Sequence, residues 1–266
     1  MSAIRAIAVV IPARDESGYI GRCIASVRNS ARNLGTSADV SITVVADGCS
    51  DGTAGIARAH GGTEVVETSP LGVGSARRIG VQRALERIPW PAEQIWIANT
   101  DADSFVDAQW LRNNLRAAGR GSLLRIGAVK PNFRDLELAQ IDAWKVRHAS
   151  GAAIGHVHGA NLGIRASTYL AVGGFRSLAR AEDVDLVERV QALGARAEAA
   201  EDPDVITSGR LDARAAGGYA AFLADGLLGG PNHSDYPNHR LDKNDGLIRD
   251  LASERGREQD DRFAAL

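Results

Sequence analysis

Several things are scarce in this sequence. Of its 266 residues only two are cysteine, Cys23 and Cys49. They make no CxxC pair and lack zinc-ligand spacing, and a chain of this length needs no disulfide to fold. A reducing cytoplasm is therefore the simpler setting. Excess charge is also lacking: the formal net charge is -2. No basic surplus draws the protein to nucleic acid or to an anionic membrane. No apolar run approaches the roughly 18 residues a spanning helix requires. The N-terminal stretch MSAIRAIAVVIPARDE carries no signal-peptide cleavage pattern, so any membrane contact is expected to be peripheral. Aromatic residues make up 5% of the chain, and Trp90, Trp96, Trp110 and Trp144 form no row suited to stacking on a sugar. There are no repeats and no linker-like stretch.

What is present is an ordinary globular composition, 44% hydrophobic and 24% charged. The first half alternates strand and helix patterns. Ile4 to Ala13 is a continuous apolar run, as in a strand buried on both faces. Ile20, Ile24, Val27 and Ala31 follow at helical spacing. Val40 to Ala46 and Thr63 to Thr68 read as strands, with a short helix, TAGIARAHGG, between them. Ser75 to Ile88 reads as a helix, and Gln94 to Ala98 closes the series as a strand. This βαβα order predicts an α/β sheet with parallel strands. In the second half, Ser122 to Pro131 reads as a strand and Leu136 to Ala153 as an amphipathic helix. Val157 to Ala166 reads as a strand or tight loop, and Glu182 to Ala195 as a helix. Beyond about Arg240 the chain is charged, a peripheral helix or mobile tail.

Polar clusters fall where such a sheet binds ligands, outside the carboxyl ends of the strands. They are PARDES after the first strand, DGCSDGT after the second, SPLGVGSARR after the third and TDADS after the fourth. In the last, Asp101 and Asp103 either cap a helix or hold a hard divalent cation; Mg²⁺ and Mn²⁺ favour oxygen ligands shared with phosphates. Asp47, ending the second strand, suits a base N–H or a ribose hydroxyl. The spacing from Gly72 fails a dinucleotide fingerprint, because Arg77 stands where a glycine is needed. What remains is a helix start with Arg77 and Arg78, able to meet a diphosphate. AEDVD, Ala181 to Asp185, puts three acids in a first helical turn. They complement the helix dipole or include a general base. His156 and His158 would share a face on a strand.

Taken in order, these pieces resemble family 2 glycosyltransferases. The matching stretches are VVIPARDE, VVADGCSDGT, GVGSARRIG, TDADS, HGANLGIR and GGFRSLARAEDVDLVER, over roughly residues 5 to 210. The resemblance implies a GT-A-type fold: an α/β, Rossmann-like mixed sheet, mainly parallel, flanked by helices. It implies a domain over 1–210, with a nucleotide-binding half to about 104 and an acceptor half from about 105. Residues 211–266 would be a helical or loop extension, a lid or mobile tail. It implies inverting transfer of a sugar, most plausibly a hexose, from a nucleoside diphosphate donor to an unidentified hydroxyl acceptor, with UDP- or GDP-sugars the favoured donors and Mn²⁺ or Mg²⁺ as cofactor. Pro12, Ala13, Arg14 and Glu16 would line the nucleoside pocket and Asp47 would contact the base. Gly74, Arg77, Arg78, Asp101 and Ala102 would border the nucleotide. Asp103, with Asp101, would hold the metal. Asp183 would be the base, with Glu182, His158 and Asn161 on the acceptor side.

The sequence departs from the family where relatives carry lysine, at Val73, and where many carry asparagine, at Arg14 or Asp15. The distal QxxRW-type signature is not visible. Its place is taken by SGRLDARAAGGY, where Arg210 and Arg214 would face donor phosphates or an acidic acceptor. A sugar nucleotidyltransferase and a non-catalytic nucleotide- or glycan-binding module are the competing classes. The first is disfavoured by the lack of a Gly-rich basic loop after the first strand. The second is disfavoured by the presence together of Asp47, Asp101, Asp103 and Asp183.

Overall fold

The computed structural model describes residues 2–147, 157–200 and 203–210, with Leu223 and residues 248–249. The expected C-terminal end of the Leu136–Ala153 helix, His156, Arg214 and most of the 211–266 extension lie outside the described residues.

The first half follows the apolar pattern closely. Strand β1 (Ala6–Ala13) is buried along its whole length. Its side chains alternate between two cores, as the period of two requires. Ile7, Val9, Ile11 and Ala13 face one; Ala6, Ala8 and Val10 face the other. Helices α1 (Ile20–Leu34) and α4 (Trp110–Gly119) cover the first face through Ile24, Val27, Trp110 and Leu111. Helices α3 (Val73–Arg87) and α7 (Glu182–Ala192) cover the second through Val81, Ala84, Leu186 and Val190. A sheet sandwiched this way can be hydrophobic on both faces, which is why β1 carries no polar alternation.

Strands β2 (Asp39–Asp47) and β3 (Thr63–Thr68) extend the sheet on one side of β1, with helix α2 (Thr53–Ala59) between them in sequence; β4 (Ile95–Asn99) flanks β1 on the other side. Beyond β4 come β8 (Leu162–Arg165), β6 (Leu124–Ile126), β9 (Ala197–Ala199) and the two-residue β11 (Ile248–Arg249). Among the described strands of this sheet, β8 alone runs antiparallel to its neighbours. A second sheet has the order β5 (Ser104–Val106), β10 (Val205–Thr207) and β7 (Val129–Pro131).

The expectation of one strand over Ser122 to Pro131 is corrected: it divides into β6 and β7, in different sheets. The break falls at Gly127, where a Cβ would lie 2.2 Å from the Asn161 amide. A side chain would not fit at this point, where the chain passes from one sheet to the other. Val157 to Ala166 proves to be both alternatives in turn, a tight turn at Gly159–Asn161 followed by β8. Helix α5 (Leu138–Arg147) starts within its expected span. Trp96 and Trp110 are fully buried, their indole N–H groups donating to Asn114 and Asn161. Among the described residues no helix is long and apolar enough to cross a membrane.

Candidate active site

The loops after β1, β2, β3 and β4 converge on one edge of the sheet, and hydrogen bonds between them fix their shape. Asp15, in the left-handed region at φ 52°, accepts from the Ser50 backbone N–H at 2.7 Å. Asp51 accepts from the Ser17 N–H at 3.0 Å and from Thr53, whose hydroxyl in turn accepts from the Glu16 N–H at 2.7 Å. The Ser50 N–H holds Asp15 below the usual carboxylate range; for Asp51 burial pushes upward, but the Thr53 hydroxyl and the Thr53 and Ser17 N–H groups outweigh it. Asp15, Cys49 and Asp51 bring three potential ligand atoms within 4.8 Å of one another. Their bonding describes a lock between two loops: the Cys49 thiol donates to the Ala13 carbonyl and the acids accept from backbone.

Asp47 ends β2 as expected but is 4% exposed. Oδ1 accepts from the Leu71 N–H at 2.7 Å and the Thr68 hydroxyl at 3.1 Å, and Oδ2 accepts from the Gly72 N–H at 2.9 Å. Its carboxylate therefore shapes the loop leading into α3. Pro12, Ala13, Gly74 and Ala102 are buried beneath this edge, while Arg14 and Arg78 are exposed along it.

Arg77 is the largest departure from the sequence reading. It is 3% exposed, and its guanidinium spans two acids from distant parts of the chain. Nη2 donates to Asp101 Oδ1 at 2.7 Å, and Nη1 pairs with Glu182. Burial disfavours its charge, but Asp101, Glu182 and Asp183 together outweigh that, and Arg77 stays firmly protonated. Burial raises the Glu182 carboxyl, while Arg77 beside it pulls the other way. The guanidinium packs under Gly159, where a Cβ would lie 2.3 Å from it, so only glycine fits this turn. The Gly159 N–H donates to Asp183 Oδ2 at 2.7 Å, and Asp183 Oδ1 accepts from the Val184 N–H. Ala181, left-handed at φ 58°, turns the start of α7 toward this cluster. One buried arginine thus ties the TDADS acids to the acids of α7.

Asp103 lies on the other side of TDADS. It accepts from the Thr207 hydroxyl and pairs with Arg210 at 2.9 Å. Burial, together with the charge of Asp101, pushes its carboxyl up to about 6. Arg210 also forks onto Glu16, Nη1 to Oε2 at 2.8 Å and Nη2 to Oε1 at 2.5 Å.

A divalent cation fits this donor set. Asp101 and Asp103 are hard oxygen ligands one residue apart, and Asp101 keeps a side chain 35% exposed. Two carboxylates suffice for Mg²⁺ or Mn²⁺ when phosphate oxygens and water complete the shell.

Asn161 is 1% exposed and faces inward. Its amide donates to the Ala128 carbonyl and to Asp204 Oδ1, and accepts from Trp110 and Arg125. Arg125 pairs in turn with Asp204 at 2.6 Å. This buried network braces the floor between the two sheets. The sequence reading missed Arg125 and Asp204; an arginine in the apolar run SLLRIGAV was the available signal, since a charge inside a strand needs a partner. His158 sits half-buried at the turn beside Gly159.

The model of glycosyl transferase family 2 matches residues 8–148, more than half the chain, and the chain belongs to that family. Its fold is GT-A. The mannosyltransferase PcManGT of Pyrobaculum calidifontis, solved with GDP-Man and Mn²⁺, superimposes with a TM-score of 0.56 at 18% identity, over 80% of this chain and 59% of that one. S. aureus TarS 1-349 in complex with UDP gives a TM-score of 0.55 at 15% identity, over 78% and 61%. The chain spans about three fifths of the length of these structures. Curated protein sequences gave no significant match.

Proposed function

We propose that this chain transfers a sugar from a nucleoside diphosphate donor to an acceptor hydroxyl, with inversion at the anomeric carbon. The observation that carries the reading is the Arg77 bridge, which joins Asp101 of TDADS to Glu182 at the start of α7. The nucleoside would enter over the β1 and β2 loops, beside Arg14 and Glu16. Asp101 and Asp103 would hold a divalent cation, which supplies charge neutralisation for the departing diphosphate. PcManGT with GDP-Man and Mn²⁺, and TarS with UDP, support a donor of this class.

Asp183 is the proposed base. Two backbone N–H groups fix the orientation of its carboxylate. As the acceptor oxygen bonds to the anomeric carbon, its proton passes to Asp183 and the bond to the diphosphate oxygen breaks. A single displacement inverts the centre; retention would need a second, nucleophilic carboxylate at the sugar. Free Cys23 and Cys49 are consistent with a reducing compartment such as the cytoplasm.

The test is a thermal-shift panel of UDP, GDP, dTDP and CDP, each with and without Mn²⁺, on the wild type and Asp103→Ala. A ligand bound by the folded state raises its stability. One diphosphate should shift the wild type in a Mn²⁺-dependent way and lose that dependence in the variant. No shift with any diphosphate overturns the reading. Release of pyrophosphate from a nucleoside triphosphate would replace it with nucleotidyl transfer.

A further inference from the structure

Arg210 is held by the fold against two acids, Glu16 and Asp103. Strand β10 pairs with β5 through Thr207 opposite Ser104, and the two hydroxyls bond at 2.9 Å. The Ser208 N–H then donates to the Asp103 carbonyl at 3.2 Å, and the Gly209 N–H to Asp135 at 2.9 Å. With its backbone fixed, Arg210 reaches over the Tyr19 ring and forks onto Glu16. The same Nη2 lies 2.9 Å from Asp103 Oδ2. Glu16 is nearly buried and holds the guanidinium by both nitrogens, while Asp103 meets one of them.

That asymmetry has a chemical consequence. A divalent cation on Asp103 would compete with Arg210 for the same carboxylate, and two cations that close repel each other. Arg210 would have to release Asp103. Still anchored on Glu16, it would present an N–H donor beside the incoming diphosphate, and guanidinium groups match phosphate oxygens well. Resting on the donor reading above, we propose that Arg210 is an exchangeable counter-cation: it neutralises Asp103 before the donor binds, then moves that hydrogen bond to the donor's diphosphate. Arg210 therefore opposes binding of the metal alone and favours binding of metal and diphosphate together.

The two couplings have opposite signs, which a purely structural role would not produce. Isothermal titration at one fixed pH should compare the wild type, Arg210→Ala and Arg210→Lys. The first titrant is Mn²⁺ alone; the second is the nucleoside diphosphate identified by the thermal-shift panel, at saturating Mn²⁺. Arg210→Ala should bind Mn²⁺ alone about tenfold more tightly and the Mn²⁺–diphosphate pair about tenfold more weakly, each near the scale of one charged hydrogen bond. Arg210→Lys retains the charge without the fork and should fall between, which keeps the test open if the alanine variant folds poorly. Mn²⁺ affinity that is unchanged or weaker in both variants overturns the proposal. So does undiminished diphosphate affinity. If the wild type binds no diphosphate, the donor reading falls, and the transfer step with it; the titration with Mn²⁺ alone still judges the competition at Asp103.

Discussion

Arg77 Nη2 lies 2.7 Å from Asp101 Oδ1, 24 positions further along the chain. Through its other nitrogen Arg77 reaches Glu182, 105 residues away, so a single buried side chain joins the loop after β4 to the start of α7. Its removal would leave Glu182 as a buried charge without its partner. Arg77→Ala should lower unfolding stability by about 3–5 kcal/mol, the range for breaking a buried pair. Urea denaturation checks this. A loss under 1 kcal/mol would mean that the bridge contributes little.

Asp183→Asn loses the proton acceptor and turns an NH₂ group toward one of the two backbone N–H groups it had accepted from, at a stability cost of about 1–3 kcal/mol. Donor binding by titration should change little, while transfer should fall by about 10²- to 10⁴-fold. Turnover at the wild-type rate would remove Asp183 from the role of base.

Asp103 makes the metal-free protein sensitive to pH. Burial, then the charge of Asp101, raises its carboxyl from 3.8 to about 6 in the folded chain. The folded state therefore holds this proton more tightly than the unfolded state does. The resulting stabilisation is full below about pH 4 and is lost as pH rises through about 6. Asp103→Asn cannot ionise and escapes the cost. In a chelating buffer it should be more stable than the wild type by on the order of 2 kcal/mol at pH 8, with little difference at pH 4. Equal pH profiles for the two proteins would refute this.

Asp47 is bonded to the loop after β3 on both of its oxygens. In Asp47→Asn one oxygen becomes an NH₂ group facing a backbone N–H. The variant should lose about 1–3 kcal/mol of stability. Hydrogen exchange should quicken at Leu71 and Gly72 in particular. Unchanged protection at both amides would show that the loop keeps its shape without this carboxylate.

Much of the fold was written in local pattern. The apolar runs of β1, β2, β3 and β4 and the helical spacing of α1 and α3 fall close to their expected places. Such signals repeat every two or about 3.6 residues and are visible within one element. The second half was less legible because its strands are two to four residues long, too short to show a period, and β6 and β7 part at Gly127, packed beside Asn161.

For the site, the sequence by itself determined that four polar loops would share one sheet edge, because parallel βα order carries strand ends to the same side. It supplied the acids but not their partners. Tertiary structure alone decided that Arg77 turns inward to Asp101 and Glu182, that Asp47 braces a loop, that Asn161 joins a buried network and that Arg210 meets Glu16 across 194 residues. Charge pairing depends on which distant segments the fold brings within about 3 Å, and no local periodicity encodes that distance.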